Sequence, residues 1–236
     1  MQRKGKKQLY KKEIIGSSIL YNCDCMDLMK QFPDKHFDLA IVDPPFFKGP
    51  ENTKYYGSEK SNTGVNRPQY RQIAIWDIPT NNYYYELCRV SKEQIIWGIN
   101  YFNFKNVPCG RIVWDKKKNG ACAFSDGEIA SCSLINTVMF FRYRWDGMLQ
   151  ENMKNKEDKI HPTQKPVALY KWLLSKYAKQ GDKILDTHFG SGSIAVACNE
   201  MGFDLTASEI DQDYFEAACN RAREANRQGN LFQEVS

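Results

Sequence analysis

Two stretches of this chain carry residue types that could do chemistry together. In the first, an apolar run, Phe37-Asp38-Leu39-Ala40-Ile41-Val42, ends in Asp43-Pro44-Pro45-Phe46. A carboxylate, a rigid turn and an aromatic ring are thereby set at the C-terminal end of a strand, the edge at which open α/β sheets take their ligands. Consecutive prolines fix the backbone and remove its donors, leaving carbonyls free to accept hydrogen bonds. An exocyclic amine suits such an acceptor-rich site. If it donates its N–H groups to Asp43 and a proline carbonyl, its lone pair stays on nitrogen and can attack a methyl sulfonium directly, with Phe46 stacked on the ring that bears the amine. The alternative is a proline-rich strand exit over a buried Phe, because a tetrapeptide is a short motif.

The second stretch, Lys183-Ile184-Leu185-Asp186, runs into Thr187-His188-Phe189-Gly190-Ser191-Gly192-Ser193, after which a helical pattern begins. Glycines at a strand-to-helix turn let a ligand approach the backbone closely. Glu209 follows at the end of the next strand, about twenty residues on, where a nucleotide-binding βαβ unit places a carboxylate for ribose hydroxyls. The phosphate-binding pattern G-x-G-x-x-G is absent, which fits a nucleoside cofactor without a pyrophosphate better than a dinucleotide. A tight structural turn beside a surface acid is the competing account. Upstream, His161-Pro162-Thr163-Gln164-Lys165-Pro166 opens a helix, with Pro166 where a helix tolerates proline best. Free amides there, together with Lys165, could hold a carboxylate.

The elements that must position these residues are legible as alternating patterns. Strands are predicted at Ile19 to Tyr21, Phe37 to Val42, Gln94 to Trp97, Arg111 to Trp114, Asn136 to Phe141, Lys183 to Leu185 and Leu205 to Ala207. Helices are predicted at Met26 to Gln31, Asn81 to Val90, Val167 to Ala178, Ile194 to Met201 and Tyr214 to Arg227. Such alternation implies an α/β fold, a mostly parallel sheet covered on both faces. The 236 residues, 42% of them hydrophobic, suit one domain. Within it residues 1–12 form a basic tail, 18–145 a catalytic half with a long polar loop at 48–71, 160–227 a cofactor-binding half and 228–236 a flexible tail.

Composition narrows the function classes. No apolar run is long enough to span a bilayer and no secretory signal is apparent, so a soluble cytoplasmic protein is expected. The eight cysteines are scattered without a Cys-x-x-Cys pair, and with three histidines they offer no tetrahedral zinc set, so reduced thiols and no metal are expected. The net charge of +5 is concentrated in Arg3, Lys4, Lys6, Lys7, Lys11 and Lys12 and again in Lys116 to Lys118. These runs suit a phosphate backbone, or simply a solvated surface.

The motifs at Asp43 to Phe46, His161 to Pro166 and Asp186 to Gly192 together resemble the catalytic, amino-acid-binding and glycine-loop motifs of amino-methyltransferases acting on DNA. Their order, catalytic half first, resembles the circularly permuted β class, of the small phage or bacterial kind, from about Ile19 to Arg227. The resemblance implies a seven-stranded Rossmann-like sheet, S-adenosyl-L-methionine as cofactor, and catalysis by Asp43, Pro44, Pro45 and Phe46. It also implies cofactor contacts from Asp24 and Cys25 to the adenine, with Phe189 and Ser191 in the pocket. His161, Thr163, Gln164, Lys165, Asp186, Gly190, Gly192, Ser193 and Glu209 complete the expected cofactor set. Asp at the first catalytic position usually accompanies adenine in this family, whereas Ser is commoner for cytosine amines and Asn for RNA or protein glutamine.

Larger members carry a sizeable target-recognition region where this chain has a short segment between Trp145 and Ile160. Target contacts are therefore expected from Tyr55, Tyr56, Arg67 and Arg71 on the loop at 48–71. The expected activity is methylation of adenine N6 in DNA after the base swings out of the duplex. A cytosine-N4 or RNA methyltransferase and an inactive DNA-binding module are the alternatives. Methylation at a cytosine carbon would need a cysteine nucleophile. Cys109 follows a proline as such a nucleophile does, but its place in the motif order does not fit, and a structural thiol is expected. Homodimers are common in the family. Gln228, Leu231 and Phe232 resemble, as a short motif can by chance, the peptide by which bacterial proteins dock on a sliding clamp.

Overall fold

The computed structural model describes residues 10–46, 70, 73, 75–118, 125–146 and 148–233, with residues 229–233 as backbone only. The strands are β1 Lys11–Ile15, β2 Ser18–Asn22, β3 Phe37–Val42, β4 Ser91–Trp97, β5 Arg111–Asp115, β6 Gly127–Cys132, β7 Val138–Arg142, the short pair β8 Trp145–Asp146 and β9 Leu149–Gln150, then β10 Lys183–Asp186 and β11 Asp204–Glu209. The helices are α1 Cys25–Met29, α2 Asn81–Val90, α3 Val167–Tyr177, α4 Ser193–Met201 and α5 Gln212–Gln233.

One sheet dominates, in the order β1-β2-β11-β10-β3-β4-β6-β5-β7. Seven of its strands run the same way, and β1 and β6 run against them. The α/β class matches the sequence reading, but the sheet has nine strands rather than seven, and the added two are the antiparallel ones. The predicted basic tail needs a second correction, since Lys11 and Lys12 pair with Tyr21 and Asn22 as part of β1. A third concerns the other end: the expected flexible tail is helical as far as Gln233, so Gln228, Leu231 and Phe232 lie on α5.

Strands buried on both faces divide their side chains between two apolar layers. Leu39 and Ile41 join one layer with Ile95, Trp97, Ile184 and the helices α3, α4 and α5. Ala40 and Val42 join the other with Ile96, Leu185 and the helices α1 and α2. Helix α4 is short, buried and built from small residues, Ile194-Ala195-Val196-Ala197-Cys198, so that α3 and α5 can flank it.

The position of β10 fixes the site. It pairs in parallel with β3, Ile184 opposite Leu39 and Leu185 opposite Ala40, while the chain continues to β11 on one side and to β4 on the other. Chain connections diverge at this point, which opens a crevice at the carboxyl ends of the two central strands. Asp43 follows β3 and Asp186 ends β10, so the crevice lies between the two motifs. None of the described helices is long and apolar enough to cross a membrane.

Candidate active site

The crevice is a solvent-open cleft lined from both halves of the chain, the kind of concave site at a sheet's switch point where small molecules bind. Asp43, Pro44, Pro45 and Phe46 form one wall; His161, Thr163, Gln164, Lys165, Phe189, Gly190, Ser191 and Glu209 form the other. Asp24, Cys25, Asp186, Gly192 and Ser193 stand outside this lining. Tyr55, Tyr56, Arg67 and Arg71 lie outside the described residues.

Asp43 is the end of a buried chain of alternating charges. Its Oδ2 lies 2.5 Å from the Lys165 ammonium, which also reaches Glu128 Oε2 at 2.9 Å. Glu128, the second residue of β6, meets Lys116 at 2.6 Å. The Lys165 side chain is 2% exposed, so its charge depends on these partners. Burial opposes that charge, but Asp43 and Glu128 outweigh it and raise the Lys165 pKa. Burial likewise works against the Glu128 carboxylate, and Lys165 and Lys116 hold it down at about 2. For Asp43 burial prevails, and its pKa is raised despite Lys165. The second carboxylate oxygen, Asp43 Oδ1, is buried without a hydrogen-bond partner among the described residues.

Lys165 is therefore ion-paired to both Asp43 and Glu128 in the wall of the cleft where a cofactor carboxylate was expected. The basic run at Lys116 to Lys118 is not a free cationic surface either, since Lys117 pairs with Glu151 at 2.8 Å and Lys118 with Asp126 at 3.7 Å.

Phe46 lies flat against Tyr101, ring centroids 4.8 Å apart and planes within 7°. Trp76 Nε1 donates to the Phe46 carbonyl at 3.1 Å. One face of the expected stacking ring is thus already covered by a protein aromatic.

The glycine loop is pinned on both sides. Glu209 accepts the Gly190 N–H at 2.8 Å through Oε2 and the Asp211 N–H at 3.0 Å through Oε1; burial raises its pKa. Asp186 accepts the His188 N–H at 3.0 Å, and its burial pushes the carboxyl up to about 8. Gly192 has φ +73°, and a Cβ there would meet Phe189 and Ala218 at 3.1 Å, so this glycine serves packing against α5. From α5, Arg221 donates to Ser191 O at 2.9 Å and Ser193 Oγ at 2.8 Å, and Ser193 Oγ donates to Lys165 O at 2.7 Å. Gly190 and Ser191 face the cleft; Gly192 and Ser193 anchor the loop behind it.

In the segment before α3, His161 Nδ1 pairs with Thr163 Oγ1 at 3.1 Å while its ring meets Tyr214 edge-on. Burial, aided by the nearby Lys165 charge, lowers the His161 pKa to about 3. The Gln164 side chain accepts from Ile160 N and donates to Asp158 O, holding its own loop. Asp24 caps α1 by accepting the Met26 and Asp27 amides. The backbone of neighbouring Cys23 donates to Glu209 O at 3.1 Å, which sets the Asp24-Cys25 turn beside the β11 carboxyl end. Cys109 is exposed at the turn before β5, the opposite end of the sheet from the cleft. The seven described cysteines are all unbridged.

Sequence reasoning missed Glu128, Tyr101, Trp76, Glu157 and Arg221. An acid within a weakly apolar strand and a lysine in a basic run give no sign that they are partners. The Tyr-Phe pair 101–102 beyond β4 was the one available signal for the aromatic wall.

Residues 134–220 match the family model described as DNA methylase. Over 90% of its length the chain is 26% identical to the type II methyltransferase M.HinfI of Haemophilus influenzae, covering 70% of that protein. Its fold is similar to that of the M1.HpyAVI–SAM complex, with 21% identity, a TM-score of 0.51 and coverage of 86% of this chain and 98% of that one. It is similar also to the cytosine-N4-specific PvuII DNA methyltransferase, with 10% identity, a TM-score of 0.53 and coverage of 93% and 96%. Both motif sets thus face one cleft at the junction of β3 and β10, in a chain that is similar to DNA methylases in sequence over residues 134–220 and in fold over most of its length.

Proposed function

We propose that the protein transfers a methyl group from S-adenosyl-L-methionine to the exocyclic N6 amine of adenine in DNA, site-specifically, after the base leaves the duplex. The observation that carries this reading is Asp43 Oδ1, a buried acceptor without a hydrogen-bond partner among the described residues, in the cleft that the glycine loop shares. A buried acceptor left unpaired costs about 1–3 kcal/mol, and an amine N–H from the substrate would relieve that cost.

The residues suit S-adenosylmethionine. The loop at Gly190 and Ser191 opens onto the cleft, Glu209 stands at the β11 end for ribose hydroxyls, and Asp24 and Cys25 lie beside it for the adenine. When bound, this cofactor supplies a methyl group on a positively charged sulfur. Asp43 Oδ1 accepts an N–H of the target amine, aims its lone pair, and can take the proton that the amine sheds. Phe46, backed by Tyr101, offers its other face to the base ring, and flipping brings the base to it. Catalysis is then positioning with electrostatics, without a covalent enzyme intermediate.

The fold does not choose between adenine and cytosine amines, since a cytosine-N4 enzyme shares it; Asp43 at the first catalytic position favours adenine. The test is transfer of labelled methyl to mixed-sequence DNA followed by separation of the nucleosides, with Asp43→Ala as control. N6-methyladenine that disappears in the variant is the expected result. N4-methylcytosine would overturn the choice of base, and label in neither would overturn the reading.

A further inference from the structure

The chain Asp43–Lys165–Glu128–Lys116 ties the catalytic motif to two residues that no motif contains. Links of 2.5, 2.9 and 2.6 Å leave no space for intervening water. Glu128 is carried by β6, the antiparallel strand inserted between β4 and β5, and Lys116 by the turn after β5. The Glu128 and Lys116 side chains are 19% and 15% exposed, so the charges act through protein rather than solvent and are screened little. A buried ion chain is a poor device for stability alone, because desolvation offsets most of the attraction.

We propose that Glu128 and Lys116 are positioning residues that set, through the shared Lys165 ammonium, how strongly the Asp43 carboxylate accepts the target amine. The proposal rests on the adenine-methylation reading above. Glu128 draws part of the Lys165 charge away from Asp43, and Lys116 in turn limits how much Glu128 can draw. Asp43 thereby keeps more acceptor strength than an exclusive pair with Lys165 would leave it. Other groups face Asp43 as well: Asp186 at the end of β10, Tyr170 on α3 and Tyr83 on α2, with His161 and His188 lining the same cleft. The two histidines are held neutral by burial, Tyr83 and Tyr170 stay protonated, and Asp186, pushed up to about 8, is uncharged over the acid range, so the charges that act on Asp43 there besides Lys165 are Glu128 and Lys116.

Signs follow from the charges. Asp43 must be ionised to accept the amine, so the acid limb of the kcat profile follows it. Glu128→Gln removes an anion, leaves Lys165 wholly to Asp43, and moves that limb to lower pH while kcat on the plateau falls about tenfold. Lys116→Met removes a cation, frees Glu128 to draw harder on Lys165, and moves the limb to higher pH. Each shift should be about one pH unit. The experiment measures kcat against pH, KM for both substrates and melting temperature for the wild type and the two variants.

Opposite displacement of the two acid limbs, with KM for S-adenosylmethionine unchanged, is the expected result. Limbs that stay in place or move the same way overturn the proposal, including the case in which both variants merely lose melting temperature and activity together. A wild-type protein that does not methylate adenine overturns the underlying reading instead, a failure visible before either variant is compared.

Discussion

Glu157 and Arg221 lie 2.7 Å apart, joining the segment before α3 to the last helix. The same Glu157 carboxylate accepts the Val167 amide at the start of α3 at 3.0 Å, and the same guanidinium holds Ser191 and Ser193. Both side chains are largely buried, at 21% and 15% exposure. Glu157→Ala would leave Arg221 charged and unpaired, and we expect a loss of about 2–4 kcal/mol in denaturant unfolding. The Ser191 loop should loosen with it, so a titration should show weaker S-adenosylmethionine binding; unaltered binding would mean the loop is held without Arg221.

Gly98 sits beneath Phe46. Its φ is +69°, and a Cβ at this position would come within 2.5 Å of Phe46 Cδ1. Gly98→Ala should cost about 1–2 kcal/mol from the left-handed backbone alone and displace the ring. Catalysis should suffer more than stability, with cofactor affinity retained. Methyl transfer at the wild-type rate would show that the Phe46 seat is not needed.

Lys165→Met separates two roles for one side chain. If Lys165 serves Asp43, as its contacts indicate, the variant loses kcat by about a hundredfold and about 3–5 kcal/mol of stability, and keeps its affinity for S-adenosylmethionine. If Lys165 grips the cofactor's carboxylate, affinity falls instead and the rate at saturating cofactor survives. Equilibrium dialysis beside single-turnover kinetics distinguishes them.

Acid stability should depend on two buried imidazoles. Burial lowers His161 and His188 to about 3 each, against an unfolded value near 6.5. Each is neutral when folded and takes a proton more readily when unfolded, so its contribution is complete above about pH 6.5 and is lost as pH falls towards about 3. His188→Asn should flatten this limb of a melting-temperature profile. A profile of unchanged slope would mean that His188 is not held neutral.

Much of this was readable from residue patterns, and the failures have physical causes. Asn81–Val90 and Phe37–Val42 are helix and strand over the predicted spans because each pairs a clear period with a clear end. β1 escaped notice because Lys11-Lys12-Glu13 offers no apolar alternation; it is an edge strand whose burial begins only near Ile15. β6 escaped because Gly127-Glu128-Ile129-Ala130-Ser131-Cys132 is small and polar, as a strand must be where a carboxylate is buried in mid-sheet. The motifs located the cleft, but the charge chain joins residues distant in sequence, and no local pattern records such a pairing. The pairing of Lys165 with Asp43 and Glu128 was therefore not legible in the hexapeptide that carries it.

The two margins of the main sheet are unlike. At β1 the outer strand carries Lys11, Lys12 and Glu13, and Lys11 and Glu13 are ion-paired to α5; charges of this kind discourage a further strand from adding. At β7 the outer strand presents Val138, Met139 and Phe140 at 56%, 38% and 48% exposure. Among the described residues, charge thus works against a further strand at β1, while β7 offers a run of three exposed apolar side chains to whatever meets that margin.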